Sequence, residues 1–334
     1  MGHGAGAMRS DRPLCRWLSL PLAEAATGVC PIDAQRAPAD DEASMDLGSG
    51  ASEPETVWLE RAATRHATPC GTGTVVWHAW GEPGPLPPVV LLHGGSGSWT
   101  HWVRNIPALL AQRRHVLVPD VPGFGDSAAP PDGEDADVLP GWLELGAQEL
   151  LCSTAVDLVG FSFGGLVGAL WAQACPARVS RLVLVGAPAL SAEPHPPLDL
   201  RRWEDQPPGP ARLAAHRHNL MQLMLVHGDT ATDFAVALHA RNLERDRLRR
   251  RRLMRTDLLA RTLPALRCPV HGIWGTEDVL YRGRLPVVEQ VLRTAPAFAS
   301  LAFIEDAGHW VLFERAAAFD RALAAALGGG EAPG

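Results

Sequence analysis

Short, unbroken apolar runs recur along the chain, at residues 74–80, 89–92, 115–118, 155–160, 182–186, 270–274 and 301–304. Continuity, rather than strict alternation, is the mark of strands buried on both faces of a sheet. Between the runs, residues 102–112, 143–151, 166–174, 285–292 and 315–327 show a helical period. In the last of these, Phe319, Leu323 and Leu327 recur every four residues and make one apolar stripe. Strand and helix in alternation predict an α/β fold, a mostly parallel central sheet with helices on both faces. Ligands of such sheets bind at the carboxyl ends of the strands.

Two stretches depart from that rhythm. Residues 1–55 are rich in Ala, Gly, Asp and Pro without a sustained period; they are expected to be a disordered tail, or sequence upstream of a true start at Met45. Residues 187–266 begin with a proline-rich stretch (194–210) and continue as two helical segments, 211–226 and 232–254. No internal repeat is present.

Composition narrows the class. With 334 residues, 46% of them hydrophobic, the chain can bury a substantial core, as one large domain with an insertion or as two. A net charge of −7 disfavours nucleic acid as a partner. Every basic residue is Arg, which together with abundant Ala, Gly and Pro reads as genomic base composition. The six cysteines (Cys15, Cys30, Cys70, Cys152, Cys175, Cys268) form no C-x-x-C pair, so neither a zinc site nor any other metal is expected. Cys152, Cys175 and Cys268 adjoin core-like runs and are expected as buried thiols, which points to a reducing compartment and a cytoplasmic location. No apolar run is long enough to span a membrane. The stretch 17–23 is short and meets Glu24, and the residues before Cys30 make no lipoprotein box, so no secretion signal is expected.

The chemistry centres on Gly160-Phe161-Ser162-Phe163-Gly164, a G-x-S-x-G stretch with an apolar run before it and a helical segment after it. In that context the glycines permit a sharp turn that thrusts the serine out at the strand end. Downstream, Ile273-Trp274-Gly275-Thr276-Glu277-Asp278 ends an apolar run with an acid, and Glu305-Asp306-Ala307-Gly308-His309 places a histidine just past another. Upstream, 88–92 runs into His93-Gly94-Gly95-Ser96-Gly97. Taken together, residues 72–327 resemble the α/β-hydrolase superfamily, whose catalytic order is Ser…Asp…His. The resemblance implies a tail at 1–55, a core at 56–186 and 267–328, a helical cap at 187–266 over the active site, and a tail at 329–334. It also implies a serine hydrolase that works without a cofactor on a small-molecule ester or related acyl substrate.

In that reading Ser162 is the nucleophile, His309 the base that takes its proton, and Asp278 the acid that sets the imidazole tautomer. The family's acid sits three residues after the glycine, here Gly275, which favours Asp278 over Glu277 and Asp306. Backbone N–H groups of Gly95 and Phe163 are expected to receive the oxyanion, and His93 to shape that loop. Ser96, Trp99, Met221, Met224 and Trp310 are expected to meet the substrate, with Met221 and Met224 as adaptable pocket walls or as packing of cap on core. The stretch Asp120-Val121-Pro122-Gly123-Phe124-Gly125-Asp126-Ser127 resembles the superfamily's D-x-P-G-x-G-x-S loop and is expected to be a structural turn. The arginine-rich stretch 245–255 is expected as a solvated helix face, with recognition of an acidic surface as the alternative. The remaining histidines are expected to be structural or solvated.

Carboxylic-ester hydrolysis is the expected reaction. The runner-up rests on His93-Gly94-Gly95-Ser96-Gly97-Ser98-Trp99, Arg104-Asn105 and Gly308-His309-Trp310, which look like the carbon–carbon bond hydrolases that cleave meta-ring-fission products. In those enzymes a cap arginine binds substrate carboxylate, and Arg241 or Arg245 would serve here. Ser162 at the elbow sets the chain apart from the epoxide hydrolases and haloalkane dehalogenases of the fold, which carry aspartate there. A non-catalytic relative is disfavoured because no triad member is missing. Nothing in the sequence fixes an oligomeric state.

Overall fold

The computed structural model describes residues 55–193, 197–248 and 250–328; the stretches 1–54 and 329–334, with Cys15, Cys30 and Met45, lie outside them. In chain order the elements are α1 (Glu55–Ala62), β1 (Thr64–Cys70), β2 (Gly73–Trp80), β3 (Val89–Leu92), α2 (Ile106–Ala111), β4 (Val116–Pro119), α3 (Leu139–Leu151), β5 (Val156–Phe161), α4 (Phe163–Ala174) and β6 (Val179–Val185). Then follow α5 (Pro210–Leu223), α6 (Asp233–Glu244), α7 (Leu258–Thr262), β7 (Val270–Gly275), α8 (Leu285–Leu292), β8 (Phe298–Ile304), α9 (Val311–Glu314) and α10 (Ala316–Ala326).

The strands form one sheet in the order β1-β2-β4-β3-β5-β6-β7-β8. β2 runs antiparallel to both its neighbours, and every other pairing is parallel. β3, β4 and β5 are buried along their whole length, as their unbroken apolar runs require. One face packs on α3, α4 and α8 through Leu143, Leu166 and Leu292. The other packs on α2 and α10 through Leu109, Phe319 and Leu323, so the predicted stripe is the buried one. Burying each such side chain stabilises the fold by about 1.5–3 kcal/mol.

Register sets the carboxyl ends flush. Leu92 pairs with Gly160, Phe161 with Val185, Val185 with Ile273, and Gly275 with Ile304. The loops that leave β3, β5, β7 and β8 therefore emerge side by side.

Three expectations need correction. α1 and β1 were not foreseen: β1 reads Thr-Arg-His-Ala-Thr-Pro-Cys, and as an edge strand paired only to β2 it leaves most of its side chains outside the core. Cys152 is exposed at the end of α3, whereas Cys70 and Cys268 are buried and Cys175 half-buried; none of the four is in a disulfide. Finally, the helix expected over 232–254 stops at Glu244. Asp246 turns the chain there, its Oδ1 accepting from Leu248 N at 2.9 Å, and a run of like charges at helical spacing would oppose continuation.

The segment between β6 and β7 packs α5 against α6 and touches three of the strand-end loops. Trp310 N donates to Met224 O at 2.8 Å, Ser98 Oγ to Asn242 Oδ1 at 2.8 Å, and Arg247 N to Gly123 O at 2.9 Å. Among the described residues no helix is long and apolar enough to cross a membrane.

Candidate active site

β5 ends at Phe161, and Ser162 turns the chain into α4 with φ 50° and ψ −121°. A non-glycine residue there stores strain of order 1–3 kcal/mol, held by the surrounding packing. Ser162 N donates to Val185 O at 2.7 Å and fixes the turn to β6. The flanking glycines are needed for approach. A Cβ at Gly164 would lie 2.5 Å from the carbonyl oxygens of Leu92 and His93, and one at Gly160 would collide with Gly164 O. With Ser162 just before the helix, the first N–H groups of α4, beginning with Phe163, have no partner within the helix and carry its positive dipole end.

Ser162 Oγ lies 2.9 Å from His309 Nε2, and His309 Nδ1 lies 2.9 Å from Asp278 Oδ2. Asp278 is fully buried, and its other oxygen accepts from Leu280 N at 3.0 Å. Phe161 packs on the His309 ring at 5.1 Å between centroids. The three side chains come from the loops after β5, β7 and β8, which the register had brought together. Nδ1 donating to the carboxylate leaves Nε2 as an acceptor facing the hydroxyl, the arrangement that lets an imidazole take a serine proton. The other two acids point elsewhere. Glu277 is 42% exposed and pairs with Arg282, and Asp306 pairs with Arg315 and His227.

The loop after β3 runs beside the serine: a Cβ at Gly94 would stand 3.2 Å from Ser162 Cβ. Two histidines pin it. His93 Nδ1 donates to Gly94 O at 2.8 Å while Nε2 accepts from Val121 N at 2.9 Å; His101 Nδ1 accepts from Gly94 N at 3.2 Å. Burial pushes His93 down to about 4 and His101 well below the ordinary imidazole range, so both stay neutral and keep these roles. The Asp120–Ser127 stretch is the turn beside them. Asp120 accepts from Trp99 N and Asp126 N, both at 2.8 Å, and burial raises its carboxyl to about 7.

The predicted substrate contacts separate. Met221 and Met224 line a cleft of about 260 Å³ that reaches Gly308 and His309. Met224 is also packed among core residues, so it serves both readings. Trp99 and Trp310 are core aromatics instead. Trp99 packs on Trp80 and His78, and Trp310 stacks on Phe313 at 4.1 Å with its indole N–H on His101 O. Ser96 donates to Asp246 Oδ2 at 2.6 Å.

The arginine-rich stretch is not a helix face, although Arg247, Arg250, Arg252 and Arg255 are exposed as expected. Arg245 pairs with Asp126, Arg250 with Glu134, and Arg247 donates to the carbonyl oxygens of Phe124, Gly125 and Ser127. Among the described residues of this stretch, Arg251 reaches the loop after β3, donating to Ser96 Oγ at 3.0 Å, whereas Arg245 turns to Asp126. Arg251 is the residue that sequence reasoning missed; its only signal was membership of the arginine run. Among the described residues, no group of three or more His, Cys, Asp or Glu is placed to hold a metal ion.

Similarity to known proteins agrees with the architecture. The chain is 39% identical over 111 residues to 2-hydroxy-6-oxo-2,4-heptadienoate hydrolase of Pseudomonas putida, covering 32% of this chain and 39% of that protein. It is 29% identical over 261 residues to a 2-hydroxy-6-oxononadienedioate/2-hydroxy-6-oxononatrienedioate hydrolase of Cupriavidus pinatubonensis, covering 72% and 86%. The chain thus spans about two fifths of the first relative and most of the second. Among solved structures, the meta-cleavage product hydrolase of Pseudomonas fluorescens superposes with a TM-score of 0.63 at 22% identity, covering 80% of this chain and 98% of that one. A carboxylesterase of Bacillus subtilis gives 0.63 at 19%, covering 83% and 95%. Both structures share the fold. The family profile described as alpha/beta hydrolase fold matches residues 87–264, just over half of the chain, and the chain belongs to that family.

Proposed function

We propose that this chain is a serine hydrolase of the carboxylesterase kind, cleaving small to medium carboxylic esters through an acyl-enzyme on Ser162. The observation that carries the reading is the continuous relay Ser162 Oγ–His309 Nε2, His309 Nδ1–Asp278 Oδ2, with 2.9 Å at each link. Ser162 Oγ attacks the ester carbonyl carbon and its proton passes to His309 Nε2. The oxyanion is received by the backbone N–H groups of Gly95 and Phe163, each such donor being worth roughly 3–4 kcal/mol in the transition state. Collapse breaks the carbon–oxygen bond, and the leaving alkoxide takes the proton from His309. Water, deprotonated by His309, then attacks the acyl-enzyme and releases the acid. Residues 187–266 act as the cap, with Met221 and Met224 setting acyl range. The reading needs no cofactor, and Cys70, Cys152, Cys175 and Cys268, none of them in a disulfide, suit a cytoplasmic setting.

A second reading is hydrolysis of a carbon–carbon bond in a ring-fission dienoate. Two observations favour it: the activities for which the relatives are named, and a largely buried cation, Arg251, beside Gly95. Both readings use the same serine, so one experiment serves. A fluorophosphonate probe is expected to label the protein and to leave Ser162→Ala unlabelled; equal labelling would refute the nucleophile. A panel of activated esters and a ring-fission dienoate then decides the reaction. A dienoate specificity constant tenfold above the best ester, collapsing on Arg251→Ala, would install the second reading.

A further inference from the structure

The segment between β6 and β7 brings the cation of Arg251 to the loop that would hold the oxyanion. The Arg251 side chain is 16% exposed, and two sides of its fork are committed. Nη1 donates to Asp246 Oδ2 at 2.7 Å and to Leu248 O at 2.6 Å, while Nη2 donates to Ser96 Oγ at 3.0 Å. Ser96 Oγ in turn donates to Asp246 Oδ2 at 2.6 Å. The third side faces Gly95: a Cβ there would stand 3.2 Å from Arg251 Nε. The guanidinium carbon lies 5.3 Å from the centre of the Phe124 ring and 5.8 Å from that of Phe163. Arg251 therefore packs on both Gly95 and Phe163.

Ser96 itself has φ 50°, a left-handed conformation that is strained for a non-glycine residue. Its hydroxyl is anchored on both sides, by Asp246 and by Arg251. The same pair thus holds the loop's shape and fixes a positive charge against it.

We propose that Arg251, held in place by Asp246, is a third and charged element of the oxyanion hole, contributed by the inserted segment. This rests on the serine-hydrolase reading above. When Ser162 attacks, negative charge grows on the substrate's carbonyl oxygen, which is neutral before attack. A guanidinium is always protonated and only donates, so no proton changes hands. A fixed cation in a largely dehydrated site favours the charged oxygen over the neutral one, and it needs no reorganisation at the moment of reaction. Asp246 weakens the field of Arg251 but supplies the preorganisation. A seat for a substrate carboxylate would act differently: it would hold anionic substrates in the ground state and leave neutral ones untouched.

The test compares wild type, Arg251→Met, Arg251→Lys and Asp246→Asn on neutral p-nitrophenyl butyrate, with Ser162→Ala as the blank. It adds inhibition by an aliphatic trifluoromethyl ketone, whose adduct with serine carries the oxyanion. Arg251→Met is expected to lower kcat by about 10²-fold with KM within threefold, as loss of a transition-state donor does. The ketone's Ki is expected to weaken by a similar factor, with Asp246→Asn following in the same direction. Arg251→Lys keeps the charge without the fork and is expected to fall between. It decides the matter if Arg251→Met does not fold: a wild-type kcat in Arg251→Lys overturns the proposal, and a reduced kcat with an intact KM supports it. Arg251→Met with kcat on the butyrate within threefold of wild type, and an unchanged ketone Ki, overturns the proposal. Wild type no faster than Ser162→Ala would instead sink the serine-hydrolase reading, and the proposal with it.

Discussion

Replacing Asp278 by Asn tests the relay at its most buried point. The amide keeps the shape of the carboxylate but has one acceptor oxygen and one donor nitrogen. Asp278 Oδ1 accepts from Leu280 N at 3.0 Å, and Oδ2 receives His309 Nδ1 at 2.9 Å. If the amide oxygen stays on Leu280 N, its NH2 faces His309 Nδ1, which must then present a lone pair. The imidazole proton moves to Nε2 and points at Ser162 Oγ, so the ring can no longer take the serine proton. If the amide flips instead, two donors meet at Leu280, and a buried N–H left unsatisfied costs about 1–3 kcal/mol. That second state restores the tautomer but offers no negative charge to the imidazolium. Turnover is therefore expected to fall by up to ~10⁴, about 5 kcal/mol of barrier, with little change in fold. The assay is kcat and KM on an activated ester, with a melting curve as control. Turnover within tenfold of wild type refutes the reasoning, and an inactive Glu277→Gln beside it would move the acid to Glu277.

Widening the cleft with Met221→Ala or Met224→Ala is expected to shift acyl-chain preference, since one methylene in an apolar pocket is worth ~1–3 kcal/mol. Unchanged preference in both, with intact melting curves, would make them packing residues only. Acid is expected to destabilise the fold: His78, His93, His115 and His239 are pushed down to about 4 by burial, so the unfolded chain takes up protons first below 6.5. Asp120 and Asp320, raised to about 7 and about 6, oppose this, leaving a net loss of about 2 kcal/mol per pH unit between 6 and 4.5; a flat melting temperature across that range would refute it.

The inner strands were legible because β3, β4 and β5 are buried along their whole length and so read as unbroken apolar runs, and the edge strand β8 was found from its run Leu301-Ala302-Phe303-Ile304. What was missed lacks an apolar run. β1 pairs on one side only and reads as polar, and α1 owes its place to Leu59, which packs under Trp80 and accepts its indole N–H at 2.8 Å through its carbonyl. Neither leaves a pattern that local reasoning can separate from a loop. The overlong helix at 232–254 failed for another reason. Arginine is a good helix former, so propensity favours continuation, and only Asp246 and the partners waiting on the Asp120–Ser127 turn stop it.

The site divides along the same physical line. Ser162, Asp278 and His309 each follow an apolar strand directly, so local sequence fixes the loop, and strand register fixes their meeting. Arg251 and Ser96 stand 155 residues apart and meet only because the inserted segment folds back over the strand ends. A helix continued to 254 would have carried Arg241 and Arg245 along one rigid face; the break at Glu244 sends Arg245 to Asp126 and brings Arg251 to Gly95. The charge near the reacting carbonyl is thus a product of where one helix ends. It follows that the placing of that cation depends on the bend at Asp246, while the contacts among Ser162, His309 and Asp278 do not. Straightening that bend should withdraw Arg251 from Gly95 and slow ester turnover while leaving the contacts among Ser162, His309 and Asp278 in place.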